Sequence, residues 1–138
     1  MSVNLKKRRP KVYLAGSCSS TVVSNVKSMI KVAGYSHPVI FIDPRDIMPK
    51  REAFNTVEEV NNQAINECDL FVCVMINQTA GAAIELYICK RIYNKPAMIA
   101  TGVPIEKVTP RVRSLTDAIF NMEEIIDRID GWLQEWYE

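Results

Sequence analysis

Glu85 is the residue whose surroundings most suggest chemistry. At helical spacing its neighbours Ala82, Ile84, Ile88, Cys89 and Ile92 are apolar, and Lys90, Arg91 and Asn94 make up the polar face. A carboxylate in an apolar helical stripe must be paired or used, because burial disfavours its charged form. Used, it can attack an anomeric carbon or stabilise an oxocarbenium-like transition state. Paired, it would meet Lys90, Arg91 or a partner chain, and the pattern leaves both readings open. A second feature is the hydroxyl-rich run Gly16-Ser17-Cys18-Ser19-Ser20-Thr21, which leads into a helical segment. Free N–H groups and partial positive charge at a helix N-terminus suit a phosphate. Ser17, Ser19, Ser20 and Thr21 could add donors, and one of them is expected simply to cap the helix. The run lacks the Gly-Lys-Ser/Thr ending of a Walker loop and the further glycines of a dinucleotide fingerprint. Ser24 stands where a phosphatase loop would need arginine.

The elements that must position these residues follow from periodicity. Lys11 to Ala15 reads as a strand ending at Gly16. Val22, Val23, Val26, Met29, Ile30 and Ala33 mark a helix stopped by Gly34. A second strand runs from Pro38 to Asp43, followed by an irregular connection between Pro44 and Pro49. Val57, Val60, Ala64, Ile65 and Cys68 mark a second helix, with Thr56 as its expected cap and Glu59 three residues on. Leu70 to Ile76 is wholly apolar and predicts a central strand. The helix of Glu85 follows and ends near Asn94. Pro96 to Ala100 and Ala118 to Asn121 are further strands, separated by a loop over 101–113 with room for one short turn. Met122, Ile125, Ile126, Ile129, Trp132, Leu133 and Trp136 mark a final helix.

Strands alternating with helices predict an α/β fold, a parallel sheet covered on both faces. Five strands in a chain of this size suggest the flavodoxin-like three-layer sandwich with order 2-1-3-4-5. Ligands in such sheets bind at the carboxyl ends of the strands, where the winding reverses. That point brings together the Gly16–Thr21 loop, the Asn77-Gln78-Thr79 loop, Asp43 and Glu85.

At 138 residues the chain is expected to form one domain, over 11–138, behind a flexible basic leader over 1–10. A net charge of +1 makes no case for a nucleic-acid polymer or a membrane surface. No apolar run is long enough to span a bilayer, and the chain is expected to be cytoplasmic. Cys18, Cys68, Cys73 and Cys89 have no CxxC spacing and read as small hydrophobes in a reducing compartment. His37 is the single histidine, which speaks against a histidine metal site or a Ser/Cys-His-Asp triad. No cofactor is called for.

Three segments in order carry a family resemblance: Val12-Tyr13-Leu14-Ala15-Gly16-Ser17; Ile65-Asn66-Glu67-Cys68-Asp69-Leu70-Phe71-Val72; and Gly81-Ala82-Ala83-Ile84-Glu85-Leu86 with Asn94-Lys95-Pro96. Together they resemble the nucleoside 2-deoxyribosyltransferase superfamily over roughly residues 11 to 100. The resemblance implies cleavage of the N-glycosidic bond of a (deoxy)nucleoside or its 5′-monophosphate. Glu85 matches the nucleophile, Gly81 the helix glycine and Asp69 a structural aspartate before the third strand. Two positions depart from the family's pattern. Thr79 stands where transferases carry a base-contacting aspartate, and resembles instead the phosphate-contacting hydroxyl of the monophosphate-hydrolysing branch. Asn61 replaces the usual aspartate of the second helix; it can orient a sugar hydroxyl or base but cannot act as a general acid. Asp43 or Asp46 could substitute, or the protein could be catalytically impaired.

The expected substrate is therefore a nucleotide or nucleoside, with a homodimer or higher homo-oligomer sharing its sites. Ser114, near Arg111 and Arg113, matches a serine that family hydrolases draw from a neighbouring subunit. Arg45 could meet base or phosphate, although a salt-bridged turn residue is the preferred reading. Tyr13 could stack on a base but reads first as core. Trp132, Trp136 and Tyr137 predict packing or a subunit interface. Three readings compete: a nucleotide N-glycosidase, a base-exchanging deoxyribosyltransferase, and a non-catalytic nucleotide-binding module.

Overall fold

The computed structural model describes residues 8–16, 20–47, 54–76 and 80–138, less the side chains of 54–58 and of 80 and 81. Five parallel strands form one sheet in the order β2-β1-β3-β4-β5: β1 (Lys11–Ala15), β2 (Ile40–Ile42), β3 (Leu70–Met75), β4 (Ala97–Thr101) and β5 (Ala118–Asn121). The helices are α1 (Thr21–Val32), α2 (Phe54–Glu67), α3 (Ala80–Tyr87), the short α4 (Pro110–Arg113) and α5 (Ile125–Tyr137). This is the expected flavodoxin-like α/β sandwich. None of the helices among the described residues is long and apolar enough to cross a membrane.

Strand alternation divides the core into two layers. Tyr13, Ala15, Phe71, Cys73, Met75, Ala97 and Ile99 point to the face covered by α2 and α3 through Ala64, Ile65, Cys68, Ala82, Leu86 and Cys89. Val12, Leu14, Leu70, Val72, Val74, Ala100 and Phe120 point to the other face, under Val23 and Ile30 of α1 and Ile125, Ile129 and Leu133 of α5. All six residues of β3 are buried, as expected of a parallel strand covered on both sides.

Two aspartates set register at the amino edge. Asp69, just before β3, accepts the Lys11 amide at 2.8 Å while its own amide donates to Lys11 O at 2.7 Å. Asp117, just before β5, does the same with Ala97, at 2.8 and 2.9 Å. Each carboxylate also holds a cation, Arg8 in a two-pronged pair and Lys90 at 2.5 Å. Asp69 is structural here, fastening the start of β3 to the start of β1.

Several boundaries differ from the sequence reading. α2 begins at Phe54, so Thr56 lies inside the helix rather than capping it. The 101–113 connection holds a 3₁₀ turn at Ile105–Lys107 and also α4, which Thr109 caps by accepting the Val112 amide. α3 widens into a π-turn over Ile88–Ile92 and stops at Asn94, whose φ of 52° is the left-handed exit that asparagine tolerates. The aromatic end of α5 is engaged within the chain: Trp136 donates to Arg8 O at 3.1 Å and Tyr137 to Pro38 O at 2.7 Å.

Gly16 closes β1 at a φ of 144°. A Cβ there would lie 2.6 Å from Val74 O and 2.8 Å from a Val23 methyl, so β3 and α1 leave room for glycine alone. Gly16→Ala should therefore destabilise the fold by at least about 2 kcal/mol, from strain and overpacking together. Urea unfolding followed by circular dichroism measures it; a loss under half that would show that the β1 end relaxes freely.

Candidate functional site

Of the groups expected together at the carboxyl ends of the strands, Glu85, Asp43, Gly16 and Ser20 are among the described residues. Tyr13 sits in the middle of β1 with its ring fully buried, stacked on Phe71 at 5.4 Å between centroids. The ring is core, as the sequence suggested, but its hydroxyl is not: it donates to Glu85 Oε2 at 2.6 Å. A bond this short to an anionic acceptor orients the carboxylate. Burial pushes the Glu85 carboxyl up from its ordinary 4.5, while the Tyr13 hydrogen bond and the positive charge of Lys27 pull it back. The buried stripe of α3 is Ala82, Leu86 and Cys89, with Glu85 half-buried beside it. The stripe expected through Ile84 and Ile92 is corrected: these two are 58% and 60% exposed, because α3 turns its opposite side to the sheet.

At the end of β2 a second charged cluster surrounds Asp43, which is fully buried. Its Oδ2 takes Lys31 at 2.9 Å and Arg45 at 3.0 Å; its Oδ1 takes the Arg45 amide at 3.1 Å and faces Lys27 Nζ at 3.6 Å. Burial alone would raise its pKa; the bonds from Arg45 and Lys31 outweigh that and hold it well below the usual carboxylate range. Arg45 also donates to Ser24 Oγ at 3.0 Å, tying the turn Pro44–Asp46 to α1. Arg45 thus takes the salt-bridged turn role. Asp43, enclosed by cations, is no proton donor for a leaving group.

The remaining site residues distribute as follows. Ser20 caps α1 by accepting the Val23 amide at 3.3 Å. Ser17, Ser19 and Thr79 lie outside the described residues, and Gly81 falls in the first turn of α3. Asn61 is half-buried on α2, one turn before Ala64 and Ile65, which pack in the layer that contains Tyr13. Ser114 closes α4 with its hydroxyl on Arg111 O, two residues before Thr116, which bonds Ala97 O at the start of β4. It therefore sits toward the amino edge of the sheet. Lys27 and the Tyr13 hydroxyl are the buried polar groups of this edge that the sequence did not single out. Lys27 had a signal: it falls four residues after Val23 and three before Ile30, on the buried stripe of α1.

The order of the sheet and the helices on both its faces define a flavodoxin-like α/β protein. No protein-family model and no curated protein sequence matches the chain. Among solved structures it is similar to a 2-deoxyribosyltransferase from the psychrotolerant bacterium Bacillus psychrosaccharolyticus, at a TM-score of 0.61 and 18% identity, covering 85% of this chain and 90% of that one. It is also similar to the Clostridium botulinum CMP N-glycosidase BcmB, at 0.59 and 18%, covering 88% and 98%. A cyanobacterial phytochrome response regulator, RcpA, matches at 0.55 and 12%, covering 94% of each. At these identities the likeness is one of fold. Both kinds of enzyme named by the family resemblance are among these structures, and a protein of another kind shares the same sheet.

Two outcomes follow for stability. Asp43→Asn leaves the Lys27 ammonium buried without its carboxylate and should cost about 3–5 kcal/mol in urea unfolding at neutral pH. The native pKa is depressed, so Asp43's contribution is complete above about pH 3.8 and fades as pH falls below it. The gap between wild type and variant should narrow in that acid range. Glu85 has the opposite sign. Its folded pKa is raised, so its charged form opposes folding as pH rises above 4.5. Glu85→Gln should raise the thermal midpoint at pH 7, and the difference should shrink toward pH 4.

Proposed function

We propose that the protein cleaves the N-glycosidic bond of a (deoxy)nucleoside 5′-monophosphate, with Glu85 as nucleophile. The observation that carries this reading is the half-buried Glu85 carboxylate oriented by the Tyr13 hydroxyl at 2.6 Å. One Glu85 oxygen attacks C1′ as the bond to the base breaks, and the electron pair leaves with the base nitrogen. Water then displaces the carboxylate at C1′, releasing sugar phosphate and restoring Glu85, and the proton that water sheds to solvent balances the one the departed base nitrogen takes up from it. The N-terminal turn of α1, with Gly16, Ser17, Ser19 and Ser20, is the proposed seat of the 5′-phosphate. Thr79 and Gly81 are assigned to the same substrate, and Asn61 to holding the sugar or base. The exposed Ile84, Tyr87 and Ile92 on the helix of Glu85 support a second subunit at this edge, through which Ser114 would reach the phosphate.

The alternative of a non-catalytic nucleotide-binding module draws on one observation: Asn61 is no acid, and Asp43 is taken up by three cations. Base exchange to a second base, the transferase reading, has Thr79 against it.

Purified protein incubated with each common (d)NMP and nucleoside, with and without a free acceptor base, and analysed by chromatography separates the readings. Free base from at least one monophosphate is expected, with a loss of at least about a thousandfold in Glu85→Gln. Tyr13→Phe should lose about 10–100-fold in kcat/KM, the worth of one charge-assisted hydrogen bond. Its acid limb should also move to higher pH, since the lost bond had favoured the ionised Glu85. Tight nucleotide binding by calorimetry with no turnover, unchanged in Glu85→Gln, would overturn the enzymatic reading.

A further inference from the structure

α1 differs from α2 and α5 in what it shows to water. Its exposed positions are Thr21, Val22, Asn25, Ser28, Met29 and Val32, none of them charged. By contrast α2 exposes Glu59 and Glu67, and α5 exposes Asp127, Arg128 and Glu135. Both lysines of α1 are drawn off this surface. Lys27 is buried with Asp43 at 3.6 Å, and Lys31 reaches Asp43 at 2.9 Å and Asp46 at 3.4 Å. Ser28 spends its hydroxyl within the helix, on Ser24 O at 3.0 Å. What remains is largely apolar: Val22 at 53% exposure, Met29 at 60% and Val32 at 82%. A surface helix ordinarily keeps its apolar side chains for the inner stripe. Here that stripe is already filled by Val23, Lys27 and Ile30, so the outer three serve no contact within the chain's core.

Their spacing indicates what they fit. Val22, Asn25, Met29 and Val32 follow at intervals of three, four and three residues, the seam spacing of paired helices. The series reads alike from either end, with valine at both ends. A copy of α1 laid antiparallel therefore matches it without a change of register. Charge points the same way. In a two-fold contact one patch meets itself, so any net charge in it repels its own copy. A foreign partner could answer a charged rim with the opposite sign, whereas a patch that meets itself is best left without charge, as this one is.

We propose that the outer face of α1 is an interface between two copies of this chain, packed antiparallel about a two-fold axis. Val22 of each copy lies on the partner's Val32, and Asn25 on the partner's Met29. α1 covers the face of the sheet opposite α3, so this contact is separate from the second subunit placed at the Glu85 edge and does not depend on the glycosidase reading. A pair of 12-residue helices buries less than the about 800 Å² per partner of a standard interface, so the expected affinity is micromolar.

Sedimentation velocity on the full chain, from micromolar to near-millimolar concentration, tests this. The wild type should gain mass as concentration rises. Val22→Glu and Val32→Lys each set one charge in the seam, and each should halve the mass at a concentration where the wild type is assembled. Both sites are exposed, and the helix dipole favours an acid at the first turn and a base at the last, so the fold should hold, with the urea midpoint as the check. Combined in one chain, the two substitutions bring opposite charges together across the axis and should restore association. A wild type that stays monomeric throughout overturns the proposal. So does association that survives both single substitutions, which would place the contact on another surface. Loss in both single variants without recovery in the double variant overturns the antiparallel pairing.

Discussion

The buried carboxylate of Asp43 is the interaction on which the carboxyl edge depends. It ends β2, begins the following turn by accepting the Arg45 amide, and draws in Lys27 and Lys31 from α1. β2 is only three residues long and lies at the edge of the sheet, so little backbone pairing holds it. A buried anion with several donors supplies what so short a strand lacks, because each donor would lose its partner if the strand slipped. The position of α1 against β1, and with it the loop that enters α1, is referred to this one group.

The rest of the edge is built from groups with two natures. Tyr13 supplies an apolar ring to the α2–α3 layer and a hydroxyl to Glu85. Lys27 supplies a stem to the α1 layer and a charge above the strand end. Amphipathic side chains of this kind can be wholly buried and remain chemically present, because the polar tip meets a polar partner inside the protein.

Much of this was legible in the sequence. The all-apolar run Leu70–Met75 can only be central, and the alternation of strands with helical periods leads directly to the order β2-β1-β3-β4-β5. Glu85 stood out because a carboxylate among apolar neighbours is conspicuous. What was hidden has physical causes. α3 is so apolar all round that its stripe could not tell which side faced the sheet, and Ile84 and Ile92 fell on the wrong one. The Thr56 cap failed because a cap is set by where the chain turns, not by one residue type. Lys27 was passed over because a lysine in a helix is assumed to be solvated. Tyr13 was read as core or ligand, when its length allowed both burial and contact with the site carboxylate.

Asp69 and Asp117 perform one task at two places, each fastening the first amide of a neighbouring strand at the amino edge. Register along the sheet is thus anchored at the end remote from Glu85. The loops that follow these four strands at the opposite end are relieved of aligning them, β2 alone being held there, by Asp43. They can change length and sequence without shifting β1 against β3 or β4 against β5. A chain built this way separates inheritance of its framework from variation of its chemistry: one rim conserves alignment, and the other is open to selection for new ligands.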